Sequence, residues 1–296
     1  MSGAVFPLIV YHDHCTDGWC AAWLLSRRFS GAELLAASYG DPPPEDDRIR
    51  GRVVYVVDFS YDRETLVRWH SIASSLVVLD HHESAEKSLA GLPFAEFSDV
   101  RSGCGLVAKY IDDSTGWLTP MAKGEALLAS YAEDRDLWRF QMPGSRAVNA
   151  YIDSFPRTDE DWWKLMGQFE RQPWAYFAAL GENIIRNNGS VIRSHMHRQR
   201  HVMLPTDDDS VIECKVVNAT TLHSEIGGEL AKSSPSGVGI VWRETDDGSA
   251  NKYSLRSTKC GQNVAKIAEC YGGGGHAHAA SFTHQFHPWM ELIADE

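Results

Sequence analysis

Three short runs place histidine and aspartate at the point where an apolar stretch stops. Leu8-Ile9-Val10-Tyr11 leads into His12-Asp13-His14-Cys15-Thr16-Asp17-Gly18, Val53-Val54-Tyr55-Val56-Val57 ends at Asp58, and Leu76-Val77-Val78-Leu79 ends at Asp80-His81-His82. Carboxylates and imidazoles gathered together bind divalent cations, and a carboxylate-rich set favours Mn²⁺ or Mg²⁺ over softer ions. Singly, each run has a plainer explanation. An aspartate after a strand often caps the next helix, and a His-His pair is often a surface feature. Together they point further, because ligands of an open parallel sheet collect outside the carboxyl ends of its strands.

Two more runs join the list. Tyr131-Ala132-Glu133-Asp134-Arg135-Asp136-Leu137-Trp138 delivers acidic residues at the end of a helical stretch, and alone it reads as a helix C-terminus with an ion-paired arginine. Near the C-terminus stands Gly272-Gly273-Gly274-Gly275-His276-Ala277-His278-Ala279-Ala280, preceded by Ser254-Leu255-Arg256-Ser257. Consecutive glycines expose backbone N–H groups and allow close approach to a phosphate or base. The fork of Arg256 suits two-point binding of a phosphate.

The elements that must carry these residues follow from periodicity. Near-continuous apolar runs at 8–11, 53–57 and 76–79, with a further strand at 33–39, alternate with amphipathic stretches at 18–28 and 63–71. Strands apolar on both faces and separated by helices imply a parallel sheet covered on both sides. From residue 103 the spacing turns helical, over 108–111, 124–133, 147–154, 160–169 and 176–196. A boundary is expected near residue 200, and residues 210–283 read as strand, helix, two strands, helix, glycine-rich loop and strand.

Composition narrows the function classes. Hydrophobic residues make up 43% and charged residues 23% of the 296, as in ordinary globular proteins. No apolar run reaches the length of a membrane span. The six cysteines, Cys15, Cys20, Cys104, Cys214, Cys260 and Cys270, form no C-x-x-C pair or regular framework, which with the absence of a signal-peptide pattern suggests a reducing cytoplasm. The net charge of −12 argues against a grip on long duplex nucleic acid, which calls for a basic face. A small or short phosphorylated substrate fits better, which the resemblance below narrows to a short RNA or small nucleotide, and the sequence leaves a homodimer open. Of the ten tryptophans, most read as packing residues and a minority as base-stacking platforms.

In this order and spacing the runs resemble the DHH phosphoesterase superfamily, in its branch with a C-terminal DHHA1 domain. Asp80-His81-His82 matches the naming motif, and Ser254–Ser257 with Ile267-Ala268 and Gly272–His276 matches the DHHA1 signature. The first and fourth runs are similar to the nano-RNase (oligoribonuclease) or cyclic-nucleotide phosphodiesterase subgroup. The likeness covers most of the chain outside its helical middle. It implies an α/β protein with a parallel-sheet, Rossmann-like DHH domain (1–140) holding the metal, a helical connector (141–205) and a smaller α/β DHHA1 domain (206–296) for substrate, with a cleft between. It further implies two Mn²⁺ ions (Mg²⁺, Co²⁺ or Zn²⁺ as substitutes). By the same resemblance His12, Asp17, Asp58, His81 and Asp134 are metal ligands, Asp58 as the bridge, with Asp136 the runner-up to Asp134. Asp80 and His82 support the site from behind, with His82 also able to protonate a leaving oxygen. Arg256, Ser257, Gly273, Gly274, Gly275 and His276 contact substrate.

One position departs from the family pattern. Cys15 stands where many relatives carry aspartate, so either its thiolate is a softer ligand, or Asp13 or His14 turns inward, or a water replaces the missing donor. The expected activity is hydrolysis of short oligoribonucleotides by two-metal activation of water. Cyclic mono- and dinucleotides and 3′-phosphoadenosine 5′-phosphate remain alternative substrates. A non-catalytic nucleotide-binding regulator is the non-enzyme alternative.

Overall fold

The apolar runs form strands rich in β-branched residues, and their alternate side chains face opposite layers. A computed structural model describes residues 6–13, 15–114, 119–206 and 210–291, so His14 lies outside the described residues. The chain divides into two compact units, Met1–Ile185 and Arg186–Glu296.

The first unit runs β1 (Leu8–His12), α1 (Thr16–Ser26), β2 (Glu33–Ala37), α2 (Asp46–Ile49), β3 (Val53–Val57), α3 (Arg63–Ile72), β4 (Ser75–Asp80), α4 (Glu83–Leu89) and β5 (Ala95–Phe97). Helices α5 (Gly103–Asp113), α6 (Lys123–Asp136), α7 (Ser145–Asp153) and α8 (Asp159–Arg171) follow, and α9 (Trp174–Met196) runs on into the second unit. The sheet order is β2-β1-β3-β4-β5, all parallel. Ile9, Tyr55, Val57 and Leu79 pack on one face with Trp23, Leu128, Val148 and Trp162 from the helices. Leu8, Val10, Val54, Val56 and Val78 pack on the other with Leu66 and Trp69. That two-sided burial is why these strands read as unbroken apolar runs rather than alternating ones.

Register puts the chemistry in one row. Tyr11 pairs with Val57 and Val57 with Leu79, so His12, Asp58 and Asp80 stand one residue beyond that row on three adjacent strands. Helix α1 starts at Thr16, two residues earlier than periodicity suggests, which brings Asp17 into its first turn. The helices at 145–171 belong to the first unit, where Val148, Ile152, Trp162, Leu165 and Phe169 join the core around α1 and α6.

The second unit continues with β6 (Arg200–Pro205), β7 (Val211–Asn218), α10 (His223–Ser233), β8 (Val238–Glu244), β9 (Asn251–Ser257), α11 (Val264–Glu269), β10 (Gly274–His276), β11 (Ala279–His284) and β12 (Met290–Glu291). Its mixed sheet has the order β10-β11-β9-β8-β7-β6-β12, with only β7 and β8 parallel. Helix α10 packs on one face through Ile226 and Leu230 against Val217 and Val241. Val264 and Ile267 of α11 pack with Ile240, Leu255 and Phe282. The glycine-rich tract is more ordered than the expected loop, since Gly274–His276 pair as an edge strand with β11. Among the described residues no helix is long and apolar enough to cross a membrane.

One buried ionic knot fixes the helix that carries Asp134 and Asp136. Glu125, 1% exposed, accepts from the Ala122 N–H at 2.8 Å, which secures the start of α6. Arg28 reaches its carboxylate at 2.7 Å, and Arg27 bonds it as well. Removing one partner of such a cluster strands the others without compensation. Glu125→Ala is therefore expected to lower stability by about 3–5 kcal/mol, read from urea unfolding followed by circular dichroism.

Candidate metal centre

Asp58 occupies the middle of the row at the sheet's carboxyl edge. Its backbone is left-handed, with φ 54°, although its N–H still donates to the Leu79 carbonyl at 2.9 Å. The turn aims its carboxylate between neighbours from both sides. His81 Nε2 lies 3.0 Å from Asp58 Oδ1, and His12 Nδ1 lies 3.6 Å from Oδ2. Asp58 Oδ2 is buried and, among the described residues, has no hydrogen-bond partner, the His12 nitrogen being its nearest neighbour of opposite character. A buried carboxylate oxygen left unpaired is costly, and a cation is the partner that suits it.

Two sets of donors meet at this residue. His12, Asp58 and His82 offer ligand atoms within 4.8 Å of one another, and Asp17, Asp58 and His81 do the same. Asp58 belongs to both. The expected ligands His12, Asp17, Asp58 and His81 are thus brought together, and His82 stands beside them as a donor rather than behind them. Asp80 is the residue that supports from behind. It is fully buried, and its Oδ1 bonds His82 Nδ1 at 2.7 Å and the His81 N–H at 2.7 Å, while Ser60 Oγ donates to Oδ2 at 2.7 Å. With Nδ1 engaged, Nε2 is the nitrogen of His82 that can act as a ligand, in the carboxylate–histidine arrangement common around metals.

The fourth motif comes out differently from the expectation. Asp134 does not complete this group. Its carboxylate accepts the Gln141 and Met142 N–H groups at 2.8 and 3.1 Å, folding the chain back after α6. Asp136 is the acidic residue at the centre, with Oδ2 3.4 Å from His81 Nε2. The two lie two positions apart on a helix and so cannot face the same way. Arg135 between them bonds Asp153 at 2.8 Å, and Asp153 accepts from Thr16 Oγ1 at 2.7 Å, tying the helix end to the residue before Asp17.

Asp17 is held from a side the sequence reading missed. Ser102 Oγ donates to its Oδ1 at 2.6 Å, and the Cys104 N–H lies 3.2 Å from Oδ2 at the start of α5. A Cβ on Gly103 would come within 2.4 Å of Asp58 Cβ and 2.8 Å of its Cα, so only glycine fits there. For Ser102 and Gly103 there is one faint signal, the helix-start pattern Ser102-Gly103-Cys104-Gly105, and for Ser60 none.

Electrostatics reflects the crowding. Burial pushes the Asp17 carboxyl well above the usual range, and Asp58 and Asp136 push it further. Asp136 is raised by burial and by Asp58. Burial opposes a charge on His81, yet hydrogen bonding to Asp58 and the nearby Asp136 and Asp17 lift it to about 10. Asp58 takes the charge, because the imidazoles beside it overcome its burial and hold it well below the usual range. Protons thus stand in for positive charge that a divalent cation would supply. Cys15 sits close by, but burial and then Asp58, Asp136 and Asp17 drive its thiol well up, so it stays protonated. Among the described residues neither Cys15 nor Asp13 joins a donor group.

In the second unit the expected substrate residues share one row. Ala279 pairs with His276 on one side and Arg256 on the other, so all three side chains lie on one face. The small Ala279 leaves room between Arg256 and His276, about 10 Å apart across two strand spacings. Arg256 donates to Ser224 Oγ at 2.7 Å and to the Leu255 carbonyl at 2.8 Å, which sets its fork. Ser257 Oγ meets His278 Nδ1 at 2.9 Å. Gly274 and Gly275 pair with Ser281 and Ala280, and a Cβ on Gly273 would strike the Ser281 carbonyl at 2.1 Å.

No family model matches the chain. It is 25% identical over 294 residues to uncharacterized protein R106 of Acanthamoeba polyphaga mimivirus, covering 92% of this chain and 66% of that protein. It is 23% identical over 245 residues to oligoribonuclease NrnB of Bacillus subtilis (strain 168), covering 78% of this chain and 59% of NrnB. The chain therefore spans only about three fifths to two thirds of the length of these curated relatives. Among solved structures, RecJ of Thermus thermophilus in complex with Mn²⁺ aligns with 94% of this chain and 49% of its own, at 15% identity and a TM-score of 0.48.

The Asp80 network gives a direct test. Asp80→Asn keeps the shape but weakens the acceptor that orients His82, so affinity for a divalent cation should fall roughly 10–100-fold. Calorimetric titration of the folded variant with Mn²⁺ measures it.

Proposed function

We propose that this chain, which belongs to the DHH phosphoesterase superfamily, is a divalent-cation-dependent hydrolase that cleaves the phosphodiester bonds of short oligoribonucleotides. The observation that carries the reading is Asp58, a buried carboxylate common to two donor groups, one of whose oxygens has no hydrogen-bond partner among the described residues. The relation to a protein named as an oligoribonuclease supports the substrate class. The net charge of −12 supports short substrates over long duplexes.

His12, Asp58 and His82 would hold one ion, and Asp17, Asp58, His81 and Asp136 a second, the carboxylate-rich second set suiting Mn²⁺. Such ions neutralise phosphate oxygens and make water acidic enough to attack near neutral pH. The chain's own residues do the rest. Asp80 fixes His82, Ser102 fixes Asp17, and the left-handed turn at Asp58 aims its two oxygens apart. Arg256 and His276, in one row beside the Gly274–Gly275 backbone, would grip a phosphate away from the scissile bond and hold the substrate in register.

Three measurements test this. With Mn²⁺ present, a panel of a dinucleotide, a longer RNA, 3′-phosphoadenosine 5′-phosphate, cyclic AMP and a cyclic dinucleotide should show the dinucleotide as the best substrate. Asp58→Ala should abolish hydrolysis while circular dichroism stays native. A preference for another member of the panel reassigns the substrate, and an active Asp58→Ala removes its central role. Arg256→Ala should raise KM for a 5′-phosphorylated dinucleotide roughly tenfold with kcat retained. A fall confined to kcat would instead place Arg256 at the transition state.

A further inference from the structure

The segment leaving α6 holds aromatic residues in a backbone they seldom adopt. Trp138 and Phe140 are both left-handed, with φ 55° and 51°, a region that bulky side chains occupy only when their surroundings insist. The surroundings do insist. The Arg139 and Phe140 N–H groups donate to the Asp134 carbonyl at 2.9 and 3.3 Å. Gln141 and Met142 donate to its carboxylate, and Tyr131 Oη bonds the Pro143 carbonyl at 2.9 Å.

What this arrangement achieves is display. Trp138 is 52% exposed and lies two residues beyond Asp136 of the metal centre. The Phe140 ring stands edge-on to it at 4.8 Å. Arg146 lays its guanidinium 3.7 Å from the Phe140 ring centre and 5.9 Å from that of Trp138, leaving the edge of an exposed cation for a phosphate oxygen. Trp162 is buried, and the exposed Trp163 and Trp174 lie under Arg27 and against Gly144, neither of them near the metal donors in sequence. Half of the Trp138 ring is left to solvent, and its backbone would suit glycine better. An observed outlier of this kind next to a site points to function.

We propose that Trp138, steadied by Phe140 and Arg146, is the stacking platform for an unpaired base of the nucleotide whose phosphate is held at the Asp58 centre. The inference rests on the phosphoesterase reading and deepens it. The ligand class becomes a single-stranded nucleotide with an accessible base face rather than a base-free phosphoester. Stacking of this type tolerates any base, because every base has a π-face. Asp134 then acts as a positioning residue, which accounts for a carboxylate spent on two backbone N–H groups.

Trp138→Gly separates display from packing. It removes the ring and relieves the left-handed backbone, so the thermal midpoint should hold or rise. Calorimetric titration of the full chain with a 5′-phosphorylated adenylyl dinucleotide should show binding weakened roughly tenfold. Trp138→Phe should recover most of it, and the gap between parent and Trp138→Gly should narrow on a dinucleotide with an abasic residue. Unchanged affinity in Trp138→Gly overturns the proposal. So does a lowered thermal midpoint with affinity that Trp138→Phe does not restore, since the ring would then be structural. A parent that binds through Trp138 but hydrolyses nothing removes the hydrolase reading and leaves this one. A parent that hydrolyses with Trp138 indifferent does the reverse, and one that does neither removes both.

Discussion

Two buried carboxylates, Asp17 and Asp58, lie among three imidazoles, His12, His81 and His82, with the more exposed Asp136 3.4 Å from His81. Like charges so placed repel strongly where water cannot screen them. Burial, and after it the neighbouring carboxylates, raises Asp17 and Asp136, while the same carboxylates hold the proton on His81. A fold built only for stability would fill that space with apolar groups. The surrounding structure instead keeps the charges close. Ser102 and the start of α5 hold Asp17, Gly103 lets α5 come against Asp58, and Glu125 anchors the helix that brings Asp136. Each of these serves to hold together, at a fixed distance, groups that repel one another when no cation lies between them.

The parallel sheet makes the crowding possible. Adjacent parallel strands in register end at the same level, so His12, Asp58 and Asp80 need no special loops to become neighbours. The same register explains the division of labour at Asp80-His81-His82. Asp80, still on the strand, points into the layer and is fully buried, and the next two residues turn over it. Antiparallel pairing would have sent alternate strand ends to opposite edges and dispersed the donors.

Much of this was legible in the chain itself. Strand ends are marked by a change from apolar to polar residues, and that change is a composition signal, so the row at Asp58 could be read directly. The choice between Asp134 and Asp136 could not, because it turns on the rotational phase of α6, which depends on packing against α1 and α8 far away in sequence. His82 was placed behind the site for a similar reason. Which nitrogen faces the centre is set by a hydrogen bond to Asp80 rather than by residue type. Ser102 was silent because a serine before a helix is ordinarily a cap, and here it both caps α5 and bonds Asp17. The glycine tract read as loop because its β pairing rests on β11, whose small residues carry little strand propensity.

Backbone strain draws the same boundary around the functional parts. Among the described residues the non-glycine positions with positive φ are Asp58, Trp138, Phe140 and Leu222. The first lies at the centre of the metal donors, the next two follow Asp136, and Leu222 opens the helix whose Ser224 holds Arg256. Each such residue costs about 1–3 kcal/mol, a large share of a typical stability of roughly 5–15 kcal/mol. Strain of that size persists only where several contacts converge on it, as four backbone N–H groups do on Asp134. The hydrogen bonds of Asp134 thus belong to the same design as the ligands: they keep the chain in a conformation that its own residues resist, at the place where a substrate would meet it.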